Sequence, residues 1–97
     1  MTTPLKLTKT VDPQGRSVIR AAGEIDLSNA ETFAAAFAGT TGPLVVDLTE
    51  VHYIDSAGMS VLFTHAERTE LIATSLLSPI LEMSGLTSMT TVREAEG

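Results

Sequence analysis

The sequence predicts a small α/β domain in which helices flank a central mixed β-sheet, with the element order ββαβαβαβ. Three observations support this prediction. Apolar and polar side chains alternate before a turn at residues 12–15 and a second short strand follows the turn, residues 44–48 are almost entirely apolar, and helical spacing of apolar residues follows the strands. A chain of 97 residues fits one domain with a modest core, so we expect a single domain over residues 1–97, ordered at about residues 5–92.

The first two elements are predicted to form a β-hairpin. Leu5 and Leu7 alternate with polar residues, which is typical of a half-exposed strand. Residues 12–15, Asp-Pro-Gln-Gly, favour a turn because proline fixes φ and glycine permits a positive φ. The second strand is expected at residues 17–22, and residues 23–27 continue it into a loop.

The next element is predicted to be a short helix. Ser28 and Glu31 have the spacing of a capping box, with Ser28 as the N-cap and Asp26 just outside it. Gly39 and Gly42 are expected to end the helix. The apolar residues at helical spacing in between are Ala30, Phe33, Ala34 and Phe37.

A buried strand is predicted at residues 44–48, because an unbroken run of Val and Leu suits a strand that is covered on both faces. Thr49 and Glu50 are expected to interrupt it. The apolar spacing then becomes helical, which predicts a strand-to-helix junction at Asp55 and Ser56. The apolar residues of this second helix are Met59, Leu62, Phe63 and Ala66.

The last third of the chain predicts a short strand at residues 70–74, a third helix and a final strand at residues 86–92, with the five remaining residues as a frayed tail. Ser78 followed by Pro79 fits an N-cap with proline at the first helical position. Gly85 fits the position just after the C-terminal end of the helix.

Composition excludes several classes of function. The chain carries a net charge of −6 and its six Lys and Arg residues do not cluster, which argues against nucleic acids and anionic membrane surfaces as partners. The absence of cysteine excludes disulfides and thiolate chemistry. No apolar run approaches the roughly 20 residues that span a bilayer, and the N-terminal residues lack the pattern of a signal peptide. We therefore expect a cytoplasmic domain.

A hydrolase would need a base close to Ser56, and the two histidines are badly placed for this role. The sequence around Ser56 has the trailing glycine of a nucleophile elbow, Gly58, but not the leading one. His65 is nine residues along the predicted helix and His52 is four residues back in extended chain, each roughly 13 Å away. Two isolated histidines are also a poor ligand set for zinc. We expect no catalytic residue, no metal and no cofactor.

The sequence alone leaves two other roles open for Ser56. In the first, the side chain of Ser56 or Asp55 caps the helix. This role leaves Gly58 unexplained, since glycine in a helix costs up to about 1 kcal/mol relative to alanine, and close approach of a partner's backbone would be one reason for it. In the second, Ser56 is phosphorylated, which adds about −1.5 to −2 charge at a helix N-terminus that tolerates an anion.

Three segments of the chain, GEIDLS at residues 23–28, LVVDL at residues 44–48 and YIDSAGM at residues 53–59, resemble the successive motifs of the STAS domain. Within that family, the sequence is most similar to the bacterial anti-sigma factor antagonists. The resemblance extends over nearly the whole chain, from about residue 5 to residue 92. It implies the STAS fold, a small mixed sheet flanked by helices.

The resemblance also implies a regulatory role in transcription under stress. In the family, the serine that matches Ser56 is phosphorylated by a partner that is both a serine kinase and an anti-sigma factor. The unphosphorylated form binds this partner and frees a sigma factor, and a phosphatase reverses the modification. The residues that match the partner-facing region of the family are Asp26, Ser28, Asp55, Ala57, Gly58 and Met59.

Alternatives to this role follow from the same residues. Met59 begins the apolar stripe of the second helix, which favours a core position, and Ser28 is a competent N-cap without any partner. The chain would also fit a STAS accessory subunit of a lipid transport system, or a STAS scaffold in which Ser56 is never modified. A hydrolase is the weakest alternative.

Overall fold

The computed structural model describes residues 4–95 and confirms the predicted order of strands and helices. Single 3₁₀ turns at Ala66–Arg68 and Leu86–Ser88 precede the last two strands. The five strands and three α-helices of the described residues are β1 (Lys6–Val11), β2 (Ser17–Ile25), α1 (Ala30–Ala38), β3 (Leu44–Ile54), α2 (Ser56–Thr64), β4 (Thr69–Ala73), α3 (Ser78–Met83) and β5 (Thr91–Glu94).

The strands form one mixed sheet in the order β1-β2-β3-β4-β5. β1 and β2 pair antiparallel through the predicted hairpin, and every later pair is parallel. Each parallel connection steps to the next strand in the same direction and contains one helix. Right-handed crossovers of this kind place all three helices on one face of the sheet.

The core lies between that face and the helices. Phe33 and Phe37 of α1 make an edge-to-face contact with ring centroids 5.0 Å apart, and both are fully buried. Apolar residues of α2 and α3 join the same cluster, and alternate residues of the strands complete it. The main strand contributors are Ile19, Ala21, Ile25, Val46, Leu48 and Leu71.

The opposite face of the sheet carries charged side chains. Arg20 on β2 pairs with Asp47 on β3 at 3.4 Å, and Arg93 on β5 pairs with Glu70 on β4 at 2.7 Å. Residues 44–48 are all buried, as predicted.

Two strands differ from the prediction in length. β3 continues through Thr49 and Glu50 to Ile54, because β2 pairs with it along almost its whole length and register shifts accommodate the irregular part. The final strand is Thr91–Glu94, and a 3₁₀ turn occupies the first part of the predicted span. Two residues of the predicted tail therefore belong to β5, and residues 96–97 lie outside the described part.

The third helix is capped differently from the prediction. Leu77 occupies the N-cap position, and Ser78 is the first helical residue with Pro79 beside it. The Ser78 hydroxyl instead donates to the backbone carbonyl of Thr74 and to a carboxylate oxygen of Glu94, both at 3.1 Å. Gly85 follows the helix with φ 86°, which confirms its predicted position.

None of the helices in residues 4–95 has the length and apolar character needed to span a membrane.

Arg68 fastens the end of α1 to the start of β4. Its guanidinium donates to the carbonyls of Gly42 and Phe37 at 3.0 and 3.1 Å and to the Thr40 hydroxyl at 3.1 Å. A cation near the last carbonyls of a helix is also favoured by the helix dipole.

We predict that Arg68→Ala lowers the free energy of unfolding by about 1–3 kcal/mol, because three acceptors lose a charged donor. Arg93→Ala is the matched control, since it removes an exposed salt bridge worth about 0–1 kcal/mol. Urea unfolding of both variants measures the difference. Equal losses would contradict the tethering role of Arg68.

His65 ends α2 and stacks on Phe37, with ring centroids 4.7 Å apart. Burial, followed by the positive charge of Arg68, lowers the pKa of His65 below its ordinary value of 6.5. The folded chain therefore binds this proton less tightly than the unfolded chain. Neutral His65 therefore contributes to the stability of the fold above about pH 6.5, and this contribution is lost as pH falls towards the lower pKa of His65 in the folded state.

We predict that the free energy of unfolding falls between pH 7.5 and pH 5.5, and that His65→Gln reduces this slope. Urea titrations of the two proteins at several pH values provide the measurement. A slope that the substitution leaves unchanged would assign the pH dependence to other groups.

Candidate functional site

The site forms where β2 and β3 end side by side. These strands are parallel, with Glu24 opposite Tyr53 and Ile25 opposite Ile54. The loop after β2 and the start of α2 therefore emerge at the same level of the sheet. The Asp55 backbone N–H donates to the Ile25 carbonyl at 3.1 Å, which carries this alignment into the loops.

Asp55 connects the two loops through its carboxylate. Oδ1 accepts hydrogen bonds from the backbone N–H groups of Ala57 and Gly58, at 2.9 and 3.1 Å, and so caps α2. Oδ2 accepts from the backbone N–H of Leu27 at 3.0 Å. One carboxylate thus holds the N-terminus of α2 and the loop that precedes α1.

The loop after β2 is a tight turn built by its own polar side chains. Asp26 Oδ1 accepts from the backbone N–H of Ser28 at 2.9 Å and from its hydroxyl at 2.5 Å. Asn29 Oδ1 accepts from the Asp26 N–H at 3.0 Å, and Asn29 Nδ2 donates to the Glu24 carbonyl at 2.9 Å.

The predicted capping box of α1 is therefore wrong. Asn29 occupies the N-cap position, and no side chain makes a capping bond there. The Ser28 hydroxyl donates to Asp26, and no N–H of the first turn of α1 donates to it. Ser28 stays exposed on the surface of the turn.

Ser56 is the first residue of α2, and its side chain is exposed. Of the two capping alternatives, the structure selects Asp55. Within residues 4–95 the Ser56 hydroxyl has no hydrogen-bond partner. Capping therefore does not account for a hydroxyl at this position.

Gly58 and Met59 lie beneath the surface of α2. A Cβ atom on Gly58 would come within 2.6 Å of Ile25 Cγ2 and 2.7 Å of Ile54 Cγ1. Internal packing thus explains this glycine without a partner, whose close approach was one reason considered from the sequence. Met59 is 6% exposed and belongs to the core, as its place in the apolar stripe favours. Partner contact by these two residues stays a prediction.

Leu27 is a residue of this surface that the sequence analysis missed. Its side chain is 80% exposed between Asp26 and Ser28, while its backbone N–H is held by Asp55. Leu27 continues the alternation of β2, in which the odd-numbered residues face the core, so the sequence pattern does not indicate its exposure. Ala57 is half-buried beside it in α2.

The arrangement lacks the geometry of a hydrolase. His65 lies at the other end of the nine-residue helix that Ser56 begins, roughly 13 Å along its axis. A groove of about 420 Å³ surrounds His65, at that far end of α2. Residues 4–95 contain no group of three His, Cys, Asp or Glu side chains placed to hold a metal ion.

We predict that Gly58→Ala lowers the free energy of unfolding by about 1–3 kcal/mol, because the new methyl group overpacks the contact with Ile25 and Ile54. In an open helix the same change would stabilise by up to about 1 kcal/mol, so the sign is diagnostic. Ser60→Ala, at an exposed position of α2, is the control and should be neutral or slightly stabilising. Stabilisation by Gly58→Ala would contradict the packing account.

Comparison with known proteins gives the same fold. An anti-sigma factor antagonist from Mycobacterium paratuberculosis is 21% identical and superimposes with a TM-score of 0.83, over 98% of this chain and 92% of that one. The anti-sigma factor antagonist SpoIIAA in its unphosphorylated form is 18% identical, with a TM-score of 0.74 over 94% of this chain and 89% of that one.

A third structure, an anti-sigma factor antagonist STAS domain from Rhodobacter sphaeroides, is 22% identical with a TM-score of 0.53, over 71% of this chain and 84% of that one. No curated protein matched the chain in a sequence comparison. The model of the STAS domain family matches residues 7–77, which include β2, β3, α2 and both loops of the site. This chain belongs to the STAS domain family.

Proposed function

We propose that this chain is an anti-sigma factor antagonist that is switched by phosphorylation of Ser56. Its unphosphorylated form binds an anti-sigma factor with serine kinase activity in the cytoplasm and so frees a sigma factor. Phosphorylation ends this binding, and a phosphatase restores it. The observation that carries the proposal is the exposed Ser56 hydroxyl, which no residue in the described chain engages while Asp55 does the capping.

The surroundings of Ser56 support a switch that acts by charge. A phosphate would add about −1.5 to −2 charge beside the Asp55 carboxylate and near the Asp26 turn. The partner would then meet a dianion where it had met a small neutral hydroxyl. Like charges brought together at an interface weaken binding, so a single modification is enough to separate the two proteins.

The fold should survive this modification. Ser56 points to solvent and contributes no hydrogen bond that α2 needs, because the Asp55 carboxylate occupies the N–H groups of Ala57 and Gly58. The helix dipole also favours a negative group at this end. The switch therefore needs no unfolding of the site.

The comparisons support the partner class. Structures with the same fold are described as anti-sigma factor antagonists, one of them in an unphosphorylated form. The site is an exposed loop and helix end, and its polar groups are mostly bonded within the chain. Such a surface suits recognition by another protein.

The decisive experiment incubates the purified chain with ATP and each purified anti-sigma kinase of its own genome, then maps phosphate by mass spectrometry. We predict label at Ser56 and none at Ser60, which offers another exposed serine one turn further along α2. If every kinase leaves Ser56 unlabelled, the switch is wrong, and the transport-subunit and scaffold alternatives become the better accounts.

Calorimetry with the same kinase tests charge as the signal. Ser56→Ala should retain the affinity of the unmodified chain, whereas Ser56→Asp should weaken it about tenfold or more. The thermal stability of both variants should stay close to that of the wild type, because Ser56 has no internal partner. Equal affinities for the two variants would show that charge at this position does not control binding.

A further inference from the structure

Leu27 is an apolar side chain placed beside the proposed phosphoacceptor. It is 80% exposed, although single exposed apolar residues are common on protein surfaces. What distinguishes Leu27 is that its backbone is fixed. Its N–H donates to Asp55 Oδ2 at 3.0 Å, and its two neighbours are joined by the bonds from Ser28 to Asp26.

The described residues contain other exposed apolar side chains without this setting. Met83, for example, is 88% exposed at the C-terminal end of α3, and no side chain of the described residues bonds to its backbone. Five side-chain hydrogen bonds hold the turn that presents Leu27 to solvent. An apolar side chain on a fixed backbone loses only its own rotamer freedom on binding, which favours it as an interface anchor.

We infer that Leu27 is the apolar anchor of the partner-binding surface and inserts into an apolar pocket of the anti-sigma kinase next to the cleft that receives Ser56. This inference rests on the proposed function and adds a residue and a partner chemistry to it. The carboxylates of Asp26 and Asp55 flank the leucine, and the chain has a net charge of −6. The matching pocket is therefore apolar at its base with Lys or Arg at its rim.

The shared carboxylate sets the geometry of recognition. Asp55 caps the helix that begins at Ser56 and also holds the Leu27 backbone, so anchor and hydroxyl keep a fixed relative position. A kinase that seats Leu27 thereby positions Ser56. Loss of the leucine should act on substrate binding and leave phosphoryl transfer in the bound complex unchanged.

The test uses the purified kinase that phosphorylates Ser56 and full-length variants of this chain. Leu27→Ala should weaken the Kd by about ten- to a hundredfold and raise the KM for phosphorylation to a similar extent, with kcat unchanged. Leu27→Met keeps an apolar side chain of similar volume and should stay within about threefold of the wild type. Met83→Ala, the matched exposed apolar control, should bind as the wild type does.

Three results would overturn the inference. They are wild-type affinity of Leu27→Ala, an equal loss in Met83→Ala, or a loss in kcat at unchanged KM. Sedimentation adds a fourth: self-association of the wild type that Leu27→Ala abolishes would assign the leucine to a contact between two copies. Failure of the proposed function has a different signature, because the wild type itself would then neither bind nor be phosphorylated by any such kinase.

Discussion

The hydrogen bonds of the Asp55 carboxylate are the interaction on which the site depends. Three backbone N–H groups donate to this one side chain, two from α2 and one from the loop after β2. Hydrogen bonds to an ionised group contribute about 1.5–3 kcal/mol each. Without this carboxylate, α2 would lose its cap. The loop after β2 would lose the hydrogen bond that joins it to the start of α2. One acidic residue thus holds the helix that begins at Ser56 and the loop that carries Leu27 in a fixed relative position.

The sheet explains why such a link forms. β2 and β3 are parallel and end together, with Ile25 opposite Ile54, so two loops that are 28 residues apart in sequence start side by side. Gly58 then lets α2 approach both isoleucines more closely than any other residue would permit. The helix that carries Ser56 is therefore held by the packing of Gly58 against the two isoleucines and by the hydrogen bonds of its first turn to the Asp55 carboxylate.

Much of the fold follows from local pattern. The hairpin is predictable from Pro13 and Gly15, and the core stripe of α2 from the spacing of Met59 and Leu62, because these signals depend on neighbours in sequence. The length of β3 is not predictable in this way. Thr49 and Glu50 look like a break, yet pairing with β2 extends the strand through them.

The details of the site depended on contacts across the chain. Asp26, Ser28 and Asn29 all have side chains that cap helices well, and the sequence offers no means of choosing among them. The one side-chain contact of this turn that comes from far along the chain is the hydrogen bond of the Leu27 N–H to Asp55. Gly58 similarly had a plausible external explanation until the positions of Ile25 and Ile54 supplied an internal one. The motif was thus recognisable from sequence, whereas the reason for each of its residues required the tertiary structure.

The hydrogen-bonded turn of residues 26–29 also bears on the speed of recognition. A loop that must become ordered on contact loses backbone entropy of about 1–2 kcal/mol for each residue that it fixes. Here that entropy is already lost when the chain folds, since the turn is closed before any partner arrives. An encounter complex at this surface can therefore proceed to the bound state without a search through loop conformations. Association would then be limited by diffusion and orientation, and the lifetime of the complex would carry the regulation.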